Sequence, residues 1–140
     1  MRNPFIYLFL FLFAAALTYS CAGESSGSEN VEMPDGTLQE QIQFLVNENL
    51  FDEALQRLRV EDKNDSSVMV MLRDTHLLYG NWLMYHAETI HMTDRMPKAL
   101  RHFRRVIEID PDNRTARSNI DQIETIYRQM GRDIPEGVAE

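Results

Sequence analysis

Cysteine is nearly missing from this chain: its 140 residues carry one, Cys21. A lone thiol cannot close an intramolecular disulfide, and a metal cage built from cysteines is excluded with it. Positive charge is also in short supply. Fourteen Lys and Arg stand against 22 Asp and Glu, a formal net charge of -8. A general nucleic-acid binder needs a surface of the opposite sign, and peripheral attraction to anionic lipid has no basis in this composition. No glycine-rich phosphate loop is present, and no G-x-S-x-G elbow. No stretch shows the sustained alternation and turn dipeptides of paired strands.

Four histidines remain as candidates for chemistry: His76, His86, His91 and His102. His86 and His91 flank a glutamate in H-A-E-T-I-H, but they stand five apart. Four apart would align two imidazoles on one helix face, as in the H-E-x-x-H zinc motif. Glu88, Asp94 and Glu108 make no recognisable acid/base pair. The expectation is no metal, no cofactor and no catalysis. Lys98, Arg101, Arg104 and Arg105 form a basic stripe that reads as a solvated face paired with nearby acids such as Glu108, the alternative being contact with an acidic partner or a lipid headgroup.

The amino terminus reads as an address. One Arg precedes the apolar run F-I-Y-L-F-L-F-L-F-A-A-A-L over residues 5–17, and small residues follow. A positive start, an apolar core and a small-residue end describe a secretory signal peptide. The run is shorter than the roughly 20 residues of a spanning helix, although an uncleaved anchor is an alternative. Leu17-Thr18-Tyr19-Ser20-Cys21 resembles the lipobox of bacterial lipoproteins, with Leu17 four positions before the Cys. That resemblance implies cleavage before Cys21 and acylation of its new amino terminus, with enough acyl chains for stable anchoring. The alternative is ordinary cleavage after Ala22. Residues 1–20 are thus assigned to the signal peptide. Residues 21–36, rich in Gly, Ser and Glu, form a flexible tether with little to bury.

Helices are expected from residue 37 onward. Thr37 and Glu40 have capping-box spacing, and Leu38, Ile42, Leu45 and Val46 form an apolar face behind them. Phe51, Ala54, Leu55 and Leu58 make a second short helix ending near Val60. Residues 61–66 form a polar loop. A long helix is expected from Ser67 to about His91, with Val68, Met71, Leu72, Leu78, Trp82, Leu83 and Tyr85 along it and Gly80 permitting a close helix approach. Residues 92–96 read as a turn, and a further helix starts at Pro97. Ala99, Leu100, Phe103, Val106 and Ile107 line its face, and Asp110-Pro111-Asp112 stops it. The last helix runs from Arg114 to Met130, with Gly131 and Pro135 beyond it.

The Ala99, Phe103 and Pro111 spacing resembles the second helix of a tetratricopeptide repeat. Leu77-Leu78-Tyr79-Gly80 and Leu83 look like the first-helix element of that family. The small residue of the register is either Ala99, which lengthens the first helix, or Ala87, which restores a 34-residue repeat and leaves His86 at an apolar position. The first hairpin is similar through Ala54 and Leu58, with Ser66 where the family has Pro. The resemblance implies an all-α domain over residues 37–132: about two antiparallel helical hairpins plus a C-terminal capping helix, then a tail over residues 133–140. Gly80, Ala99, Phe103 and Pro111 would set the packing. The first helices of each hairpin would line a partner groove through Gln39, Gln43, Asn81, Met84, Ser118 and Gln122. Two repeats fall short of the usual three, which points to self-association or a bound partner as the source of further burial.

The expected function is non-catalytic contact with a protein or peptide partner in the bacterial cell envelope, on the periplasmic side, with lipid on Cys21 holding the chain to a membrane. The alternative is a small ligand-binding or hydrolytic accessory domain that uses His76 or His86 with nearby carboxylates in a cleft.

Overall fold

The structure, a computed structural model, describes residues 33–136. The expected signal segment, Cys21 and most of the tether lie outside the described residues. Within them the chain is all-α, with five helices and no strand: α1 (Leu38–Asn47), α2 (Phe51–Arg59), α3 (Ser66–Tyr85), α4 (Met92–Ile109) and α5 (Arg114–Gln129).

Each boundary has a local cause. At α1, Thr37 Oγ1 accepts from the Glu40 amide at 3.3 Å, and Glu40 Oε2 accepts from the Thr37 amide at 2.8 Å. This reciprocal cap satisfies two amides that a helix start leaves orphaned. Asn49 adopts φ 60° just after α1, reversing the chain into α2 within three residues. The Asp65 carboxylate caps α3 at the Ser67 amide, 2.8 Å away, and Asn113 caps α5 at the Ala116 amide, 3.0 Å away. Gly131, at φ 64°, ends α5, and the Arg132 amide returns to the Tyr127 carbonyl at 3.0 Å.

Helices adjacent in sequence pack on one another, α3 with α4 most extensively, and α1 also touches α3. Ile42, Leu45, Ala54, Leu58 and Val68 form one apolar cluster under α1, α2 and the start of α3. A larger cluster holds Phe51 of α2 with Tyr79, Leu83, Leu100, Phe103, Val106 and Ile123. Val46 touches both, so the interior is continuous along the row.

Two helix boundaries differ from expectation. The long helix stops at Tyr85 instead of near His91, because residues 86–91 turn the chain and bury Ala87. Arg95 holds that stop: its Nη1 donates to the carbonyls of Leu83 at 3.1 Å and Met84 at 2.9 Å, two of the acceptors a helix end leaves open. The following helix starts at Met92, five residues before Pro97. The His91 ring caps its first turn at the Thr93 amide, 3.4 Å away, and Met96 is buried in the core. Pro97 therefore sits inside α4, where it has no amide proton for the Thr93 carbonyl.

The face of α3 also differs. Leu78 and Tyr85 are exposed, whereas Val68, Thr75, His76, Tyr79, Gly80, Leu83 and Met84 are buried. Apolar residues encircle this helix, so their spacing alone cannot select the inward face; its neighbours do. The selecting contact is at Gly80. A Cβ placed there would lie 2.7 Å from Cε1 of Phe103, which is fully buried beside the equally buried Ala99.

Two substitutions test this close approach. Phe103→Ala is expected to lower unfolding free energy by about 3–5 kcal/mol. Gly80→Ala would gain about 1 kcal/mol of helix propensity, yet it is expected to destabilise because the new Cβ would force the fully buried Phe103 ring to shift within the core. Urea unfolding followed by circular dichroism reads both. A stabilised Gly80→Ala variant would show that the contact is slack.

Candidate functional site

Between α1 and the first half of α3 lies an open groove of about 620 Å³. Gln39 and Gln43 line it from α1, beside Leu38, Ile42 and Val46. Val68, Val70, Met71, Asp74, Thr75 and Leu78 line it from α3, and Glu61, Asp62 and Asp65 from the loop before α3. Val70 and Leu78, on its α3 side, are each 45% exposed. The lining carries four carboxylates and no Lys, Arg or His. Glu61 pairs with Arg57, and Asp74 lies 2.8 Å from Arg73. Asp65 serves the α3 cap, and Asp62 accepts from the Asn64 amide at 2.9 Å.

A second polar place joins α3 to α5. Asn119 is buried and donates through Nδ2 to Asn81 Oδ1 at 2.8 Å. The Tyr85 hydroxyl lies 3.3 Å from Asn119 Oδ1 and 3.4 Å from Gln122 Oε1. Asn81 and Gln122, both assigned to the groove by register, thus meet around Tyr85 and Asn119. Ser118 is exposed on the same helix as Gln122. Met84 is a correction. It is buried in the main core at 5% exposure, because α3 turns this residue inward beside Leu83, so it cannot line an open groove. Gln39 and Gln43 stand apart from this cluster, on α1.

Of the packing residues, Gly80 and Phe103 meet in the α3–α4 interface, and Ala99 is buried in the same core cluster. Pro111 is exposed in the turn after α4, and its carbonyl accepts from Arg117 Nε at 2.9 Å.

The interior holds polar groups that spacing alone does not single out. His76 and His102 are both buried, with their Nδ1 atoms 2.9 Å apart. One must donate and the other accept, so at least one ring is neutral at that nitrogen. Burial, then the charge of His76 and of the nearby Arg101 and Lys98, pushes the His102 pKa down to about 3. Its Nε2 is buried with no partner. Beside this pair, the Tyr79 hydroxyl donates to Asp52 Oδ2 at 2.8 Å, and Lys98 Nζ reaches both groups. Burial and the neighbouring Asp52 carboxylate raise the Tyr79 pKa. Phe51 stacks on Tyr79 with ring centroids 4.8 Å apart and planes 10° from parallel.

His76 thus faces His102 on α4, while His86 is exposed at the end of α3. The signal for His102 lay in its position: Ala99, His102, Phe103 and Val106 share one helix face. Among the described residues, no group of three or more His, Cys, Asp or Glu side chains could hold a metal ion. Likewise, no helix there is long and apolar enough to cross a membrane.

No family model, curated protein or solved structure matches this chain.

The buried imidazole gives stability a pH dependence of known sign. The unfolded chain protonates His102 below its ordinary pKa of 6.5, while the folded chain resists protonation down to about 3. Its contribution is complete above about pH 6.5 and declines by about 1.4 kcal/mol per pH unit as the pH falls between those values. Urea midpoints from pH 7.5 to pH 4.5 are expected to fall more steeply for the natural chain than for His102→Gln. Parallel profiles would show that His102 titrates alike in both states.

Proposed function

We propose that the chain is a non-catalytic binding module that recruits a partner protein in the bacterial cell envelope, held to a membrane through lipid on Cys21. The observation that carries the binding role is the groove between α1 and α3, where Val70 and Leu78 stand 45% exposed beside the partly buried Leu38, Val46 and Met71. Apolar side chains gathered in a concave opening can supply anchor contacts for a partner. A row of five helices packed neighbour on neighbour, with Gly80 against Phe103 between α3 and α4, is in keeping with tetratricopeptide-type hairpins closed by α5.

The envelope location rests on the sequence of residues 1–22: one Arg, an apolar core, then Ser20-Cys21-Ala22. Acylation of Cys21 followed by an acidic, Gly/Ser-rich tether would let the helical domain stand off the membrane. Cleavage after Ala22 would instead release the domain as a secreted protein. The hydrolytic alternative draws no support from the histidines, since His76 is turned to His102 and His86 is exposed.

The test places a photo-reactive residue at Gln39 in one chain and at Gln122 in another, each expressed with its full amino terminus. Membranes are irradiated, and adducts are analysed by mass spectrometry. The expected result is a protein cross-linked at one or both positions, with acyl groups on the peptide that begins at Cys21. Absence of any protein adduct at either position would remove the binding role. A mature chain that starts at Gly23 would remove the lipid anchor.

A further inference from the structure

The α1–α3 groove has a chemical character that narrows its occupant. Its floor is aliphatic: Ile42 and Val46 from α1 face Val68, Met71 and Leu78 from α3. Its rim is acidic, with Glu61, Asp62 and Asp65 at one end and Asp74 on α3. Four carboxylates are answered by two guanidinium groups, Arg57 on Glu61 and Arg73 on Asp74. Asp65 also faces the amide end of α3, whose partial positive charge it offsets. Negative charge stays in excess around exposed aliphatic side chains, and Asp62 is exposed without a cation in contact.

The chain's own segments outside the described residues do not complement that rim. Residues 1–32 and 137–140 together carry one Arg, Arg2, against Glu24, Glu29, Glu32 and Glu140. A second copy brings the same net charge of -8 to an acidic rim. Three of the five basic residues on its α4 are already engaged with acids, Lys98 with Asp52, Arg104 with Glu124 and Arg105 with Glu108.

We propose that this groove docks a cationic amphipathic segment of a partner protein, one that sets Leu- or Ile-like side chains against Val70, Met71 and Leu78 and Lys or Arg against Asp62 and Asp74. This rests on the binding role proposed above and specifies its ligand. Apolar anchors supply the affinity, as in helix-in-groove recognition. The acidic rim sets orientation and speeds encounter, and it repels acidic partners. Exposed ion pairs contribute little each, so the rim acts mainly through several charges of one sign.

The test uses the full chain in nanodiscs of zwitterionic lipid, with a photo-reactive residue in place of Gln39 on the groove or, as the control, Gln129 at the far end of α5. The probe is a fluorescent amphipathic Leu/Lys peptide of roughly four helical turns, with a Leu/Glu twin of the same pattern. Empty nanodiscs give the lipid background. The expected result is labelling by the Leu/Lys peptide at position 39 and not at 129. That labelling should fall about five-fold in Asp62→Asn/Asp74→Asn, two exposed pairs being worth that much together. It should also weaken as salt rises.

Equal labelling by the Leu/Glu twin, or undiminished labelling of the double variant with an unchanged thermal midpoint, would overturn the proposal. So would a chain-to-chain adduct at position 39 that excludes the peptide, which would assign the groove to a second copy. A chain that captures an envelope protein through position 122 yet ignores the Leu/Lys peptide loses only the cationic specificity. A chain that captures nothing at either position loses the binding role as well.

Discussion

One missing side chain organises the molecule. Gly80 lets Phe103 lie where a β-carbon would otherwise stand, and α3 and α4 meet there more closely than any larger residue would permit. The ring then contacts the backbone of α3 and excludes water from the interface. Leu83, Leu100 and Val106 pack around the same point, all at or near zero exposure. Rotating α3 to present a different face would drive the helix backbone off the Phe103 ring. The inward face of a helix that is apolar on every side is therefore chosen by a single steric vacancy.

That choice brings polar residues inward. With Gly80 against Phe103, the same rotation buries Thr75, His76 and Tyr79. Tyr79 is reconciled with the interior by reaching outward: its ring stacks on Phe51 while its hydroxyl meets Asp52, which is largely exposed. Lys98 approaches the same hydroxyl from α4, so one phenol ties three helices together at the edge of the core. His76 and His102 solve the same problem by pairing with each other, at the cost of one unpartnered ring nitrogen.

Much of the architecture is legible in the residues. The Thr37–Glu40 cap, the Asn47–Asn49 interruption, the apolar stripes of α2 and α5 and the Gly131 stop all depend on contacts within a few residues of chain, and all occur. What spacing could not reveal depends on distant partners. The end of α3 is set by Arg95, which lies ten residues beyond it and looks like an ordinary surface cation in sequence. The start of α4 was hidden by Pro97, because a first-turn proline is the commoner arrangement. Met84 was misplaced for the same reason as Leu78: rotation about the α3 axis is fixed by α4, not by α3 itself. Gln39 and Gln43, named from the register of the resemblance, line the opening between α1 and α3. The acids that share its rim come from the loop before α3, and only the folded chain brings them to the same opening.

Pro97 carries a consequence for how the molecule moves. Its lack of an amide proton interrupts the ladder of α4 after the first turn and a half, leaving the Thr93 carbonyl without its usual donor. Residues 92–96 are thereby joined to the rest of the helix by one bond fewer, although Met96 is buried in the core. Arg95 lies within this segment. Its two bonds to the carbonyls of Leu83 and Met84 tie the leading turn of α4 to the tail of α3, so amide exchange in the two segments is expected to be coupled.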